Sequence, residues 1–464
     1  MTKTHNAPES AGNIVKFRVS SNFTEYAVEL AGGVVDFRYY ENVLSNSVTA
    51  TATCVETGYS DGDSEDGVSQ STVDGLPIRG GERTVFSIEV VFGNELTLEE
   101  GLYVNRVRDV NPDTKKDVYF LDFASREFFA NEQTRVVKKY EGNIGDNVQK
   151  ILKDVLKVTT DIDIDNTSAS YNFIGNDRKP FYVCTWLASK SIPEVTSKGG
   201  TSGKGRAAGY LFFQTRDGYH FKSIDKILSG DAKKKYVFNN STKVPEGFDA
   251  RILTYDINSD VDVGKNLMMG MYNNRSIFFD PLSFNYEVRS FPEVETPPPE
   301  GQIVGKIVKA VDSVKNYLEK LATAAEEPVS DLIKEEFRQS PTRLMSFIMD
   351  TGVLPNGIDS QEQLNNWSGD KEKENYDVAN TMVQSIMRYN QLFTVKTDIT
   401  IPGDFSIKAG DLIECDFPKL AGDEVKDVNP ETKGTYMVAS VCHRITPNST
   451  TSSLSLVRDS FGGK

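Results

Sequence analysis

The chain has little of what soft-metal or redox chemistry needs. Its 464 residues include four cysteines, three histidines and two tryptophans. Cys54, Cys184, Cys415 and Cys442 show no framework spacing. That excludes a disulfide scaffold and predicts reduced core thiols in a protein made in a cytoplasm. His5 lies in a polar tail, while His220 and His443 lie inside strand-like runs. Cys442-His443 has no second ligand pair nearby, so a zinc site would lack its other half. No apolar run reaches the ~20 residues of a bilayer-spanning helix. Residues 1–12 lack the apolar core of a signal peptide. Positive charge is the minority sign: 52 Lys and Arg face 67 Asp and Glu, a net charge of −15. Such a surface favours solubility and opposes nonspecific DNA binding, and it does not exclude a channel through which DNA slides.

Catalytic and cofactor motifs are equally scarce. There is no Gly-x-Ser-x-Gly elbow and no His-Glu-x-x-His. The acidic run Asp61 to Gly67 has Asp66 where a calcium loop needs Gly, and Thr72 where it needs Glu. Asp161, Asp163 and Asp165 fail the same test at Asn166 and Asn172, and their alternation with Ile162 and Ile164 reads as a strand. The run Gly200 to Gly205 departs from a phosphate loop, with Lys198 in the first Gly position and Gly205 in the Ser/Thr position. It reads as a basic loop in which Lys198, Lys204 and Arg206 are candidates to touch an acidic partner. Nothing singles out one carboxylate pair among 67 acids. The expectation is therefore no enzyme, no cofactor and no metal.

What the sequence does have is a repeated β-pattern. Gly80-Gly81-Glu82 opens a strand from Thr84 to Val90, followed by Tyr103 to Val107, a turn at Asn111-Pro112-Asp113, and Val118 to Ser125. Ala409-Gly410-Asp411 opens a strand from Leu412 to Phe417, followed by Tyr436 to Val441, a turn at Thr446-Pro447-Asn448, and Leu454 to Ser460. Val104 and Val107 fall on Val438 and Val441 without a gap. Upstream, Val15, Phe17 and Val19 alternate as a half-buried strand requires, and Val48, Ala50, Ala52 and Cys54 share one face.

A different texture begins at Tyr140. Ile144, Val148, Ile151, Leu152, Val155 and Leu156 recur at helical steps. Residues 181–192 form a second helix, with Pro180 near its first turn and Pro193 beyond its end. Tyr210 to Phe213 and Tyr219 to Phe221 form a hairpin around Arg216-Asp217-Gly218. Strands follow at 252–257 and from Ile277. Pro297-Pro298-Pro299 is a stiff linker. Ile303, Ile307, Val311, Val314, Leu318 and Leu321 then make one apolar stripe, a candidate docking helix. A short helix is expected from Arg343 to Met349, and a longer one from Tyr376 to Phe393.

The order of these pieces resembles the central baseplate hub family of contractile-tailed phages. The resemblance rests on Leu76 to Glu82, Tyr119 to Glu127, Lys179 to Lys190, Gly209 to Phe213 with Tyr219 to Phe221, Ile401 to Asp411, and Leu454 to Gly462. It covers most of 37–462; residues 297–371 depart from the common pattern and read as an insertion. It implies an α+β, β-rich fold with two tube-like β-barrel domains, a mixed α/β domain and a helical insertion. The expected division is a tail at 1–13, a first barrel at 14–132, a mixed domain at 133–240, and the first part of the second barrel at 241–262. Return hairpins of the mixed domain follow at 263–296, a linker and helical insertion at 297–375, a helix at 376–393, and the second barrel at 394–464.

The resemblance also implies a homotrimer whose six barrels adapt a six-fold tail tube to a three-fold central spike. Implied partners are the spike protein, a tail tube or tube-initiator protein, baseplate wedge proteins and a tape-measure protein. DNA passes through the lumen without specific binding, and no segment enters a membrane. The place implied is the virion's tail baseplate, after synthesis in the host cytoplasm. Phe86, Ile88, Val90, Phe92, Leu412, Ile413 and Phe417 are candidate subunit-interface residues, because barrel edges pair across subunits. Two alternatives stay open: the hub of a phage-like injection or type VI-like secretion machine, and a cell-wall hydrolase.

Overall fold

A computed structural model describes residues 12–22, 27–56, 78–91, 94–112, 116–167, 171–194, 208–239, 243–258, 263–270, 274–280, 285–291, 327–328, 343–348, 378–419, 428–429 and 432–461. Across them the chain is β-rich, with large antiparallel sheets.

The first β-unit comprises β1 Asn13–Ser20, β2 Ala27–Glu29, β3 Val34–Asn42, β4 Thr49–Glu56, β5 Arg83–Val91, β6 Asn94–Pro112 and β7 Asp117–Ala124. Alternation drives these strands: Phe17, Val19, Phe37, Tyr39, Ala50, Ala52, Cys54, Phe86 and Ile88 are all buried. The strand order is β2-β1-β5-β6-β7-β4-β3, antiparallel at every step. The sheet rolls onto itself around one core. Phe17 on β1 and Phe37 on β3, far apart in that order, meet edge to face at 5.8 Å.

The mixed domain leaves β7 through α1 Arg126–Gln133. It continues with β8 Lys139–Tyr140, α2 Ile144–Lys150 (prolonged by a π-turn over Ile151–Val155), β9 Asp161–Ile164, β10 Phe173–Ile174 and α3 Pro180–Ala188. β11 Tyr210–Thr215, β12 Gly218–Ser223 and α4 Ile224–Leu228 complete it. The expected helix, Asp/Ile strand and hairpin all form here. Gly218 turns the hairpin at φ +144°, and a Cβ there would lie 2.0 Å from the Asp161 carbonyl oxygen. Only glycine lets β9 run parallel beside β12 at that point.

The second β-unit gathers strands from distant parts of the chain. They are β13 Lys234–Phe238, β14 Ala250–Ile252 and β15 Thr254–Asn258. Between β15 and the C-terminal strands come α5 Val263–Met268, β16 Asn274–Asp280, β17 Asn285–Phe291, β18 Glu327–Pro328, β19 Arg343–Ile348 and α6 Val378–Leu392. The C-terminal strands are β20 Val395–Pro402, β21 Leu412–Asp416, β22 Gly434–Ile445, β23 Thr450–Arg458 and β24 Ser460–Phe461. The order is β14-β13-β21-β22-β23-β20-β15. Residues 250–258 touch both ends of it: β14 ladders with β13 and β15 with β20, with only Leu253 between them. The Leu253 amide donates to the Thr400 carbonyl on β20 at 2.7 Å.

Two expectations change. Arg343–Ile348 is a strand, β19, parallel to β16, and not a short helix. Six residues hold too few helical hydrogen bonds to stand alone, so the open edge of β16 decides their conformation. β13 lies upstream of the boundary expected at 241 yet pairs with β21, so it belongs to the second β-unit. The candidate docking stripe from Ile303 to Leu321, the Asp61–Gly67 run, and the loop with Lys198, Lys204 and Arg206 lie outside the described residues.

Candidate functional site

The two β-units share one bonding pattern. In the first, the Gly81 amide donates to the Val104 carbonyl at 2.6 Å, and the Val104 amide returns to the Glu82 carbonyl at 2.9 Å. In the second, the Gly410 amide donates to the Val438 carbonyl at 2.8 Å, and the Val438 amide returns to the Asp411 carbonyl at 2.8 Å. Glu82 accepts the Arg79 amide and Asp411 the Lys408 amide, each from three residues back at 2.8 Å. Gly81 and Gly410 have φ of +87° and +89°, where glycine alone is unstrained. The strands beyond match too. β6 and β7 slip register between Val104 and Arg106, and β22 and β23 slip between Val438 and Ser440.

These units are joined edge to edge. The second half of β22 forms an antiparallel ladder with β3, from Ser440 opposite Asn42 to Ile445 opposite Phe37. Asp36 bridges the seam, accepting from Arg38 at 2.7 Å on its own strand and from Arg444 at 3.1 Å across it. Asn94 of the first unit donates to the Gly403 carbonyl at 2.7 Å and accepts the Phe405 amide at 2.8 Å. Phe405 and Ile445 of the second unit are buried in the core of the first.

Glu41, buried on β3, ties the seam to the mixed domain. It accepts the Arg216 amide from the β11–β12 turn at 2.8 Å, the Ala409 amide from the second unit at 3.0 Å, and the Tyr39 hydroxyl at 3.0 Å. Burial pushes its carboxyl above the usual range, against these donors, which act to lower it. His443, fully buried, stacks on Tyr39 and has Phe405 edge-on. Its Nδ1 lies 2.8 Å from Ser452 Oγ. Burial, with a contribution from Arg216, brings its pKa down to about 4. In the loop before β21, burial raises the Asp404 carboxyl, but the Lys234 ammonium and Ser406 outweigh it and hold the pKa low.

A second tether is Arg388 on α6, among the largest fully buried side chains. Its Nε donates to Asp225 on α4 at 2.7 Å and its Nη1 to Asp459 after β23 at 2.8 Å. One guanidinium thus binds the mixed domain to the end of the second β-unit.

These groups hold elements together. Thr215 Oγ1 lies 2.8 Å from His220 Nε2, and His220 Nδ1 lies 3.6 Å from Asp163. The order of a nucleophile–base–acid line is present, but Asp163 is bound to Lys222, and the Thr215 hydroxyl is buried and accepts the Asp217 amide. Burial raises the Cys54 thiol to about 12 and pushes Cys184 and Cys415 up as well, away from thiolate chemistry.

The candidate interface side chains that are described point inward. Phe86 and Ile88 lie in the first core; Ile413 and Phe417 lie in the second unit's core; Leu412 packs between β21 and the mixed domain. Packing within the chain accounts for their burial. Any contact they make with another copy would pass through backbone edges. The Val90 side chain and Phe92 lie outside the described residues. Glu41, His443, Asp165 and Arg388 carried no sequence signal. Asp165, for instance, ends the expected Asp/Ile strand, yet it is buried and accepts the Ser223 amide at 3.1 Å and the Lys226 ammonium at 2.6 Å. Among the described residues no group of three or more His, Cys, Asp or Glu is placed to hold a metal ion, and no helix is long and apolar enough to cross a membrane.

No family model matches the chain, and no curated protein matches it. Solved structures do. A tail protein from Neisseria meningitidis MC58 superposes with a TM-score of 0.50 at 9% identity, covering 96% of each chain. The 43 kDa tail protein of prophage MuSo2 from Shewanella oneidensis gives 0.49 at 7% identity, covering 96% of this chain and 98% of that one. The chain therefore shares the fold of that tail protein over 96% of its length, and the expected likeness to a tail protein holds at the level of fold.

Proposed function

We propose that this chain is the structural hub of a contractile phage tail baseplate, acting by assembly and not by turnover. One observation carries the reading: two β-units with the same bonding pattern lie edge to edge across the β22–β3 ladder. Each unit is, in this reading, a tube-like barrel, the second closed by residues 250–258. Three copies then set six units around one channel, a trimer that adapts a six-fold tail tube to a three-fold spike. The tail-protein fold supports the reading. So does the seam, which is held by a ladder, shared core residues and buried tethers, as a rigid ring under load requires.

The partners in this reading are those that the resemblance to the hub family implies. A tail tube or tube-initiator protein stacks above, the central spike below, and wedge proteins around it. The tape-measure protein and DNA occupy the lumen, and the chain's net charge of −15 opposes nonspecific adhesion of DNA there. The place of action is the tail baseplate of the virion. Light scattering at micromolar concentration is expected to give three times the monomer mass. Electron micrographs averaged down the axis are expected to show six lobes on a three-fold body. A monomer, both alone and with its spike, would sink the reading.

A further inference from the structure

The internal seam has a counterpart that is unpaired among the described residues. The register of the two units can be matched residue by residue. Arg108 faces Phe120 in the first unit as Cys442 faces Ser453 in the second, both just after the shared register slip. Thr49 faces Ala124 as Lys396 faces Val457. Tyr40 faces Thr49 as Asn258 faces Lys396. In this matching β6 corresponds to β22, and β15 corresponds to β3.

Within the chain, β22 and β3 are paired, with Cys442 opposite Tyr40. Their counterparts are not paired with each other. Among the described residues, 106–112 of β6 ladder only with β7, and β15 ladders only with β20. Each strand thus offers one row of backbone donors and acceptors to a partner. Both core-side faces are already filled, by Val107 in the first unit and by Tyr255 and Ile257 in the second. On the opposite face the two edges differ in charge. β6 carries Arg106, exposed, and Arg108, which also holds Asp122 on β7 at 2.9 Å; β15 carries Asp256, exposed, with Asp398 paired beside it on β20. Opposite charges on facing strands stabilise pairing, and like charges at the other possible joints would oppose it.

We infer that 106–112 of one copy pairs antiparallel with β15 of a second copy of this chain, repeating the internal seam between subunits. The matched register puts Arg108 opposite Asn258 of that copy, with Asp256 diagonal to Arg108 on the same face. The joint is head to tail, so each copy uses one edge of each kind and the chain of contacts must close into a ring or run on as a fibre. The inference rests on the trimeric reading above, which sets the ring at three copies and six like joints, three internal and three between subunits.

The test is disulfide trapping in the full chain. Facing residues of an antiparallel pair bring their Cβ atoms within about 5.5 Å, close enough for a disulfide. Arg108→Cys with Asn258→Cys, oxidised mildly, is expected to give two- and three-chain bands on a non-reducing denaturing gel, with nothing larger. Each single variant, and the mismatched Arg108→Cys with Thr254→Cys, is expected to stay at one chain. Light scattering on the same samples before oxidation separates the two ideas. A trimer whose matched pair fails to trap, or whose mismatched pair traps instead, overturns this joint and leaves the trimeric hub standing. A monomer overturns both. Bands continuing beyond three chains overturn closure and point to a fibre.

Discussion

His443 reports on the seam through its protonation. The side chain is sealed between Tyr39 and Phe405, and its pKa falls from 6.5 to about 4. Above pH 6.5 both the folded and unfolded states hold a neutral ring, and stability is at its full value. As pH falls from 6.5 to about 4, the unfolded chain takes up a proton that the folded chain refuses. That withdraws up to about 3 kcal/mol. Glu41 works the other way, because its raised carboxyl takes up a proton in the folded state first as pH falls. Urea unfolding at several pH values should therefore show a loss below pH 6.5 that shrinks in His443→Gln. An unchanged profile would mean that the ring is not sealed. None of this was visible in sequence. His443 read as one residue of a strand, and its burial comes from Tyr39 and Phe405, some 400 and 38 positions away in the chain.

At the scale of elements, helix α6 is the clamp. Its Arg388 reaches Asp225 on α4 and Asp459 after β23, all three buried. Removing one partner of such a network strands the remaining charges away from water. Arg388→Ala is expected to lower stability by about 3–5 kcal/mol, read as a drop in the urea midpoint; a cost below about 1 kcal/mol would show the network to be idle. The helix itself was legible from its period, as were α2, α3 and the β11–β12 hairpin, because each is set by local spacing and a turn or proline. β19 was not. Its six residues read equally well as a helical turn, and the edge of β16 made them a strand. The assignment of β13 to the second unit was likewise out of reach, since only its ladder with β21 reveals it.

At the scale of the molecule, the second β-unit completes the interior of the first. Ile445 belongs to a second-unit strand yet fills the first core. Ile445→Ala should cost about 2–5 kcal/mol, as buried Ile truncations do. The units should still melt in a single calorimetric transition, because they share that core and the β22–β3 ladder. Two resolved transitions with only one of them shifted would mean that the seam is weak. The mixed domain joins the same body through Glu41 and Arg388. Among the described residues, three of the four cores contain residues that are distant in sequence.

The sequence by itself determined that the chain is β-rich and that one β-pattern occurs twice, with Val104 and Val107 falling on Val438 and Val441. Alternation, glycine at positive φ and turn residues are local properties, and they are written in adjacent letters. The tertiary structure alone decided that the two units are welded through β22 and β3, that Glu41 and His443 are buried at the weld, that Arg388 ties the mixed domain to the second unit, and that two matching strand edges are unpaired among the described residues. Those outcomes depend on which distant backbones share hydrogen bonds and which polar groups lose their water. No spacing along a single chain encodes that.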